Sequence, residues 1–433
     1  VNQHRAKSGE HQVALLDRIF ARIVVAGTLA VTWPDGRVTR YGGAAPGPHA
    51  AIRIRDDATA RRVALNPSLA FGEAWTDGGI DTVGDTTLFA LLDLLMQNLA
   101  AGNIHPLMRV AERASTWFRR LQQRNPARRA KANVAHHYDL SGRLYSLFLD
   151  RDRQYSCAYF PTGAETLEDA QMAKKRHIAA KLRLDRPGLR VLDIGSGWGG
   201  LGLTLAEEFG ADVTGVTLSE EQHRESNARA AAAGLGDRVR FLLRDYRSIT
   251  EKFDRIVSVG MFEHVGIVQY DTFFATIART LSPDGIALVH AIGRPDGPGI
   301  TNAWLRKYIF PGGYSPALSE VLPGIERSGL LVTDIEILRL HYAMTIRHWR
   351  ERFARNRDAV AALYDERFCR MWEFYLVACE LAFRRQGHMV WQAQLAHRPD
   401  AVPLTRDYIG EAERAMRDDA RRRMGASPAS TGL

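Results

Sequence analysis

The chain has 433 residues, 45% of them hydrophobic and 25% charged, a globular composition with length for two or three domains. No apolar stretch is long enough to span a membrane, since Asp17, Arg18, Arg22 and Asp93 interrupt the most apolar ones. A net charge of +9 points to an anionic partner, nucleic acid or an acidic membrane surface, while Cys157, Cys369 and Cys379 form neither a disulfide framework nor a metal-ligand cluster.

The N-terminal part reads as a small α+β domain. Val13, Leu16, Phe20, Ile23 and Val24 mark one face of an amphipathic helix. Leu29, Val31 and Trp33 alternate, Pro34-Asp35-Gly36 turns the chain and 38–41 returns it, which predicts a hairpin. A further strand is expected over 51–55, and Asp85-Thr86-Thr87 offers a cap for a leucine-rich helix over 88–99. Residues 105–131 carry Arg109, Arg113, Arg119, Arg120, Arg124, Arg128, Arg129 and Lys131 against one acid, Glu112, with Leu107, Val110, Trp117, Phe118 and Leu121 interleaved. This reads either as a solvated helix and linker or as a basic amphipathic element at an anionic membrane.

From about 185 to 295 the pattern alternates between strand and helix. Strands are expected at 191–194, 213–216, 239–243, 255–259 and 286–290, and helices near 201–209, 220–233 and 269–281. The fold class is therefore α/β, a doubly wound parallel sheet of the Rossmann-like kind, with the smaller α+β domain before it. Residues 300–345 interrupt the sheet, which resumes over 331–338; 347–424 reads as mostly helical and 425–433 as a disordered tail. The domain boundaries that follow are 1–104, a basic linker 105–131, a catalytic domain 132–424 and the tail 425–433.

The strand Val191-Leu-Asp-Ile ends in Gly195-Ser-Gly-Trp-Gly-Gly200 and opens onto a helix, the form of a nucleotide-cofactor loop. A phosphate-binding P-loop needs Lys-Ser/Thr after the last glycine, but Leu201-Gly202 follows. A dinucleotide fingerprint needs an acid at the end of the next strand, and Thr217-Leu218-Ser219 stands there instead. An S-adenosylmethionine methyltransferase often carries an acid just before the glycines, where Asp193 lies. The loop by itself favours this third reading without closing the question.

Further segments hold chemistry-bearing residues: HYD at 137–139, YSCAYF at 155–160, GVTLS at 215–219 with Gln222, MFEHVG at 261–266, His290 to Gly293, YIFPGG at 308–313 and His341-Tyr342. Taken singly, each has a bland reading as a packed cysteine, a helix-terminal acid or an amphipathic tyrosine. In order and spacing, over about 130–395, they resemble the cyclopropane-fatty-acyl-phospholipid synthases and the related mycolic-acid cyclopropane synthases. PDG at 34–36 and FGEAWTDGGID at 71–81 extend a weaker resemblance into the N-terminal domain. Ser196 departs from the pattern, because many members have Cys there.

The resemblance implies a class I methyltransferase domain using S-adenosylmethionine. It assigns Tyr155, Ser156, Asp193, Gly195, Gly197, Thr217, Leu218, Ser219 and Gln222 to the cofactor. It assigns Cys157, Glu263, His290, Ile292 and Tyr342 to a bicarbonate ion, with no metal. The implied reaction is methylene transfer to the cis double bond of unsaturated phospholipid acyl chains, through a carbocation that bicarbonate deprotonates so that a cyclopropane ring closes. Tyr342, Phe310 and Trp304 are candidates for stabilising that cation. The alternatives are a fatty-acyl methyltransferase giving methyl-branched or methylene chains and, more distantly, a small-molecule N-methyltransferase. The expected partners are unsaturated phospholipids at an anionic membrane surface and a second copy bound through the N-terminal domain, without nucleic acid. The expected location is the cytoplasm, with no secretory signal visible and the protein peripheral on the inner face of the membrane.

Overall fold

The structure is a computed structural model that describes residues 14–43, 45–101 and 142–425. The basic segment 105–131, the HYD motif at 137–139 and the tail beyond 425 lie outside the described residues.

The N-terminal unit forms as its patterning requires. Helix α1 (14–23) buries Leu16, Phe20 and Ile23 against a four-stranded sheet. Strands β1 (Ala26–Thr32), β2 (Val38–Gly42), β3 (Ala45–Ile54) and β4 (Ile80–Thr82) lie in the order β2-β1-β3-β4. The β1–β2 pair is antiparallel, as the PDG turn predicts, and β1–β3 is parallel. Helices α2 (Asp57–Leu65) and α3 (Pro67–Thr76) were not expected. Each is short and they are separated only by Asn66, so neither extends over enough turns to show a strong helical period. Helix α4 (Leu88–Ala100) starts at the expected cap, where Thr87 Oγ1 accepts from Ala90 N at 3.1 Å.

Two helices precede the large sheet: α5 (Gly142–Phe148) and α6 (Leu167–Lys181). The sheet then forms from β5 (Arg190–Ile194), β6 (Asp212–Thr217), β7 (Val239–Leu243), β8 (Phe253–Val259) and β9 (Leu281–Gly293), all parallel. Helices α7 (Gly200–Phe209), α8 (Glu220–Ala232) and α9 (Tyr270–Thr280) connect them, close to the expected positions. Helices α10 (Ala303–Tyr308) and α11 (Leu318–Ser328) lead to the edge strand β10 (Leu331–Leu338), and α12 (His341–Arg355), α13 (Arg357–Leu363) and α14 (Glu366–Arg385) follow.

The segment 347–424 is mostly helical, as expected, but it also holds one strand that was not. Strand β11 (Met389–Ala396) inserts between β9 and β10, antiparallel to both, giving the order β10-β11-β9-β8-β5-β6-β7. It is buried on both faces from Val390 to Ala396, as suits a strand inside a sheet. The run Trp391-Gln392-Ala393-Gln394-Leu395 does alternate apolar and polar residues, a strand signal that the sequence reading passed over. Helix α15 (Asp407–Gly425) closes the described chain.

The two units are joined through α14 and α10. Arg385 holds Asp93 with two bonds of 2.6 and 2.9 Å. Arg370 donates to the Trp75 and Ile80 carbonyls while its guanidinium covers the Trp75 ring. Gly72 of α3 meets the Trp304 indole so closely that a Cβ would lie 2.6 Å from it. Trp304, a candidate cation stabiliser, thus packs at this interdomain contact. Among the described residues, no helix is long and apolar enough to cross a membrane.

Candidate active site

The glycine loop at the end of β5 leaves the backbone open to a cavity. Gly195, Gly197 and Gly199 all have positive φ, at 85°, 54° and 83°. A Cβ on Gly197 would meet nothing within 4 Å, whereas one on Gly195 would strike Met261 at 2.8 Å. The cavity is lined by Tyr155, Ser156, Asp193, Gly195, Gly197, Thr217, Leu218 and Gln222, eight of the nine residues expected for the cofactor. The ninth, Ser219, follows Leu218, and its hydroxyl accepts from Gln222 N at 3.3 Å and caps α8. Thr217 Oγ1 in turn donates to Gln222 Oε1 at 2.8 Å and accepts from Ser219 N at 3.1 Å, which fixes this turn.

Asp193 sits at the cavity with its Oδ2 buried and unpaired. Burial pushes its carboxyl up to about 7, against the opposing pull of Lys174. An unpaired buried acceptor beside exposed loop backbone suits a small ligand with a cationic end.

Several lining residues escaped the sequence reading. Asp245, Tyr246 and Arg247 follow β7 and border the cavity, as does Gln154, while Met261 and His264 come from the MFEHVG segment already singled out. The signal was available, because the carboxyl ends of parallel strands face the ligand crevice. Asp245 is already paired with Arg247 through bonds of 2.9 and 2.6 Å, and these hold its carboxyl below the usual range against the cost of burial.

The second set of residues lies behind the cavity. Glu263 follows β8 in the segment that also supplies Met261, His264 and Val265 to the cavity wall. Its Oε1 accepts from Ile292 N at 2.6 Å, and its Oε2 is buried without a partner. Burial raises this carboxyl to about 7, although the Ile292 amide favours its ionised form. His290, two residues before Ile292 on β9, pairs Nδ1 with Gln392 Nε2 at 3.1 Å. Burial and the nearby Lys174, Lys181 and His177 push its pKa well down, so it stays neutral. Cys157, Ile292 and Tyr342 meet in one apolar cluster. Burial drives the Cys157 thiol far above its ordinary range, which makes it a packing and donor group rather than a thiolate.

Aromatic rings link the two sets. Tyr155, on the cavity, stacks on Trp349 with centroids 5.2 Å apart, and Tyr342 meets the same Trp349 edge-on at 5.7 Å. The Tyr155 and Tyr375 hydroxyls are 2.7 Å apart, and Tyr375 touches Phe310, which packs on His264. Tyr342 and Phe310 therefore belong to this aromatic wall, and Trp304 joins the same cluster while also packing on α3. Burial lowers His264 to about 4, so its ring adds no charge.

Known proteins resemble this chain over most of its length. The family model described as mycolic acid cyclopropane synthetase matches residues 125–393, and a domain of unknown function matches 15–100. The cyclopropane-fatty-acyl-phospholipid synthase of Escherichia coli is 39% identical over 81% of this chain and 88% of its own. The tuberculostearic acid methyltransferase UfaA1 of Mycobacterium tuberculosis is 36% identical over 86% and 88%. The crystal structure of mycolic acid cyclopropane synthase CmaA1 complexed with SAH and CTAB is 34% identical, with a TM-score of 0.58 over 61% of this chain and 97% of that one. Family matches over both units, together with a glycine-loop cavity on a seven-stranded sheet, lead to one conclusion. The chain belongs to the mycolic acid cyclopropane synthetase family of S-adenosylmethionine-dependent methyltransferases.

Proposed function

We propose that the enzyme transfers a methylene group from S-adenosylmethionine to the cis double bond of unsaturated phospholipid acyl chains and closes a cyclopropane ring, with bicarbonate as the base. The observation that carries this reading is Glu263, a carboxyl poised at about 7 with one oxygen unpaired, buried beside an aromatic cluster and one segment away from the cofactor cavity. A soluble amine substrate would call for no such dry aromatic surroundings.

S-adenosylmethionine supplies a methyl group that the positive sulfonium opens to attack by a π bond. Tyr155, Ser156, Asp193, Gly195, Gly197, Thr217, Leu218 and Gln222 would hold it, with Asp193 matched to its ammonium group. Methyl transfer leaves a cation on the acyl chain, and a proton must leave the new methyl group before the ring closes. The residues around this cation exclude water, which would trap it. Tyr155, Tyr342, Phe310 and Tyr375 offer π faces that favour positive charge. Bicarbonate, when bound, supplies a weak base, and Cys157, Glu263, His290, Ile292 and Tyr342 would hold it. Because Ile292 N–H is engaged by Glu263 Oε1, these two act as one unit. A carboxyl near 7 can share a proton with a neighbouring anion, which removes the cost of two ionised anions side by side. Neutral His290 can stay a hydrogen-bond partner without taking the proton outright.

A second reading ends the same chemistry in a methyl-branched or methylene chain, and the likeness to the tuberculostearic acid methyltransferase favours it. Purified enzyme incubated with S-adenosylmethionine and unsaturated phospholipid vesicles separates the two. Proton NMR of the acyl chains should give far-upfield ring protons, and vinylidene or branched-methyl signals without them would refute ring closure. The same proposal has the basic segment 105–131 dock on anionic lipid. Vesicle binding should then fall as salt rises and weaken when Arg119, Arg120, Arg128 and Arg129 become Gln, while cofactor binding is spared. Equal vesicle binding by this variant would leave the segment a linker.

A further inference from the structure

Helix α6 buries a polar face. Gln171, Lys174, Lys175, His177 and Lys181 are all buried, although lysines are rarely found without solvent. Three of these residues hold the loop 150–156 over the cavity. Gln171 Nε2 donates to the Ser156 carbonyl at 3.0 Å, and Lys175 pairs with Asp152 at 2.9 Å. Lys174 is different. Among the described residues no carboxylate lies within ion-pair distance of it, and its ammonium donates to two neutral oxygens, Gln154 Oε1 at 2.6 Å and Ser156 Oγ at 2.9 Å. Both partners line the cofactor cavity, and Lys174 itself does not.

An ammonium group can only donate. Ser156 Oγ must therefore accept from Lys174, and its own hydroxyl hydrogen has to point elsewhere. The Gln154 amide is oriented by the same logic, since its Oε1 takes the ammonium and its Nε2 donates to Asp152 Oδ2 at 3.0 Å. Ser156 is thus set as a donor at the cavity, with a buried positive charge behind it. Asp193 offers the opposite, an unpaired acceptor. A donor backed by a cation and a free carboxylate on one cavity wall are the two halves of a site for an α-amino acid group.

We propose that Lys174 is a positioning residue that aims the Ser156 hydroxyl at the carboxylate of the cofactor's methionine tail, while Asp193 receives the ammonium. The inference rests on the reading of the cavity as the S-adenosylmethionine site. Burial lowers Lys174 to about 8, so it is mostly charged at neutral pH, and an arriving carboxylate favours that form further.

The test compares two ligands by titration calorimetry: S-adenosylmethionine and its decarboxylated analogue, which lacks only the carboxylate. Lys174→Met and Ser156→Ala should each weaken S-adenosylmethionine by about 10–100-fold, the scale of a charge-assisted hydrogen bond. Neither should change the affinity for the decarboxylated analogue, and the double variant should be no worse than Lys174→Met alone. Equal loss of both ligands would reduce Lys174 to a purely structural role and overturn the proposal, as would additive effects in the double variant. If thermal melts show that Lys174→Met does not fold, Ser156→Ala decides, because unchanged discrimination between the ligands in that variant overturns the proposal. A parent protein that bound neither ligand would overturn the cofactor reading itself, and that outcome is distinct from the others.

Discussion

The cofactor cavity and the buried cluster behind it are built from different materials. The cavity is centred on backbone, the glycines of positive φ after β5, and is completed by strand ends and the 153–156 loop. The cluster is a side-chain feature, gathered from the 157 loop, the segment after β8, the end of β9 and the start of α12. Each holds one buried carboxyl raised to about 7, Asp193 in the first and Glu263 in the second. The same burial can therefore serve two roles, and the neighbours decide which. Asp193 stands at an opening for a charged ligand, while Glu263 is locked to an amide in apolar surroundings.

The largest expected effect divides the two regions by kinetics. Glu263→Gln should lower kcat by about 10²–10³, the usual cost of losing one preorganised polar group, and leave S-adenosylhomocysteine affinity unchanged. Near-parental turnover would take Glu263 out of the chemistry.

Gly197→Val should do the reverse, lowering cofactor affinity by about tenfold or more, since its side chain enters the cavity that now has nothing within 4 Å of the Cβ position. A matched control isolates strain from blockage. Gly234 has φ +67 and equally open surroundings but does not line the cavity, so Gly234→Val should cost about 1–2 kcal/mol of stability and spare binding. Equal losses of affinity in both variants would mean that strain alone is at work.

The pH dependence separates the two carboxyls. An ammonium group is attracted to Asp193 only when the carboxyl is ionised, so cofactor affinity should rise by about tenfold from pH 6 to pH 8. Asp193→Asn should flatten that rise and Glu263→Gln should keep it. In the free protein the sign runs the other way for stability. Both folded-state pKa values exceed the ordinary carboxylate values, so the contribution is full in acid and is lost as pH rises through about 7. Melting temperatures across that range should fall less steeply in either variant.

The smallest effect lies on the ring wall shared by both regions. Tyr375→Phe removes the bond to the Tyr155 hydroxyl and should cost about 1 kcal/mol of stability, with a several-fold change in kcat/KM. A variant equal to the parent in both would make the Tyr155–Tyr375 pair dispensable.

Local sequence determined what local physics controls. The run from Val191 to Gly200, the alternation of Leu29, Val31 and Trp33, and the Thr87 cap each carry their structure within a few residues, so the parallel strands, the hairpin, the glycine cavity and the family were legible. Asp245 to Arg247 were also within reach, at the end of a strand already recognised. Tertiary structure decided the rest. Strand β11 alternates from Trp391 to Leu395, but its place between β9 and β10, antiparallel to both, is set only by the assembled sheet. The start of α8 engages the Ser219 hydroxyl, and Trp304 packs on Gly72 of the other unit as well as in the aromatic cluster. The bond from Ile292 to Glu263 and the grip of Lys174 on Ser156 join residues 29 and 18 positions apart. Burial sets the charge states there, and burial is a property of the assembled core rather than of any segment of the chain.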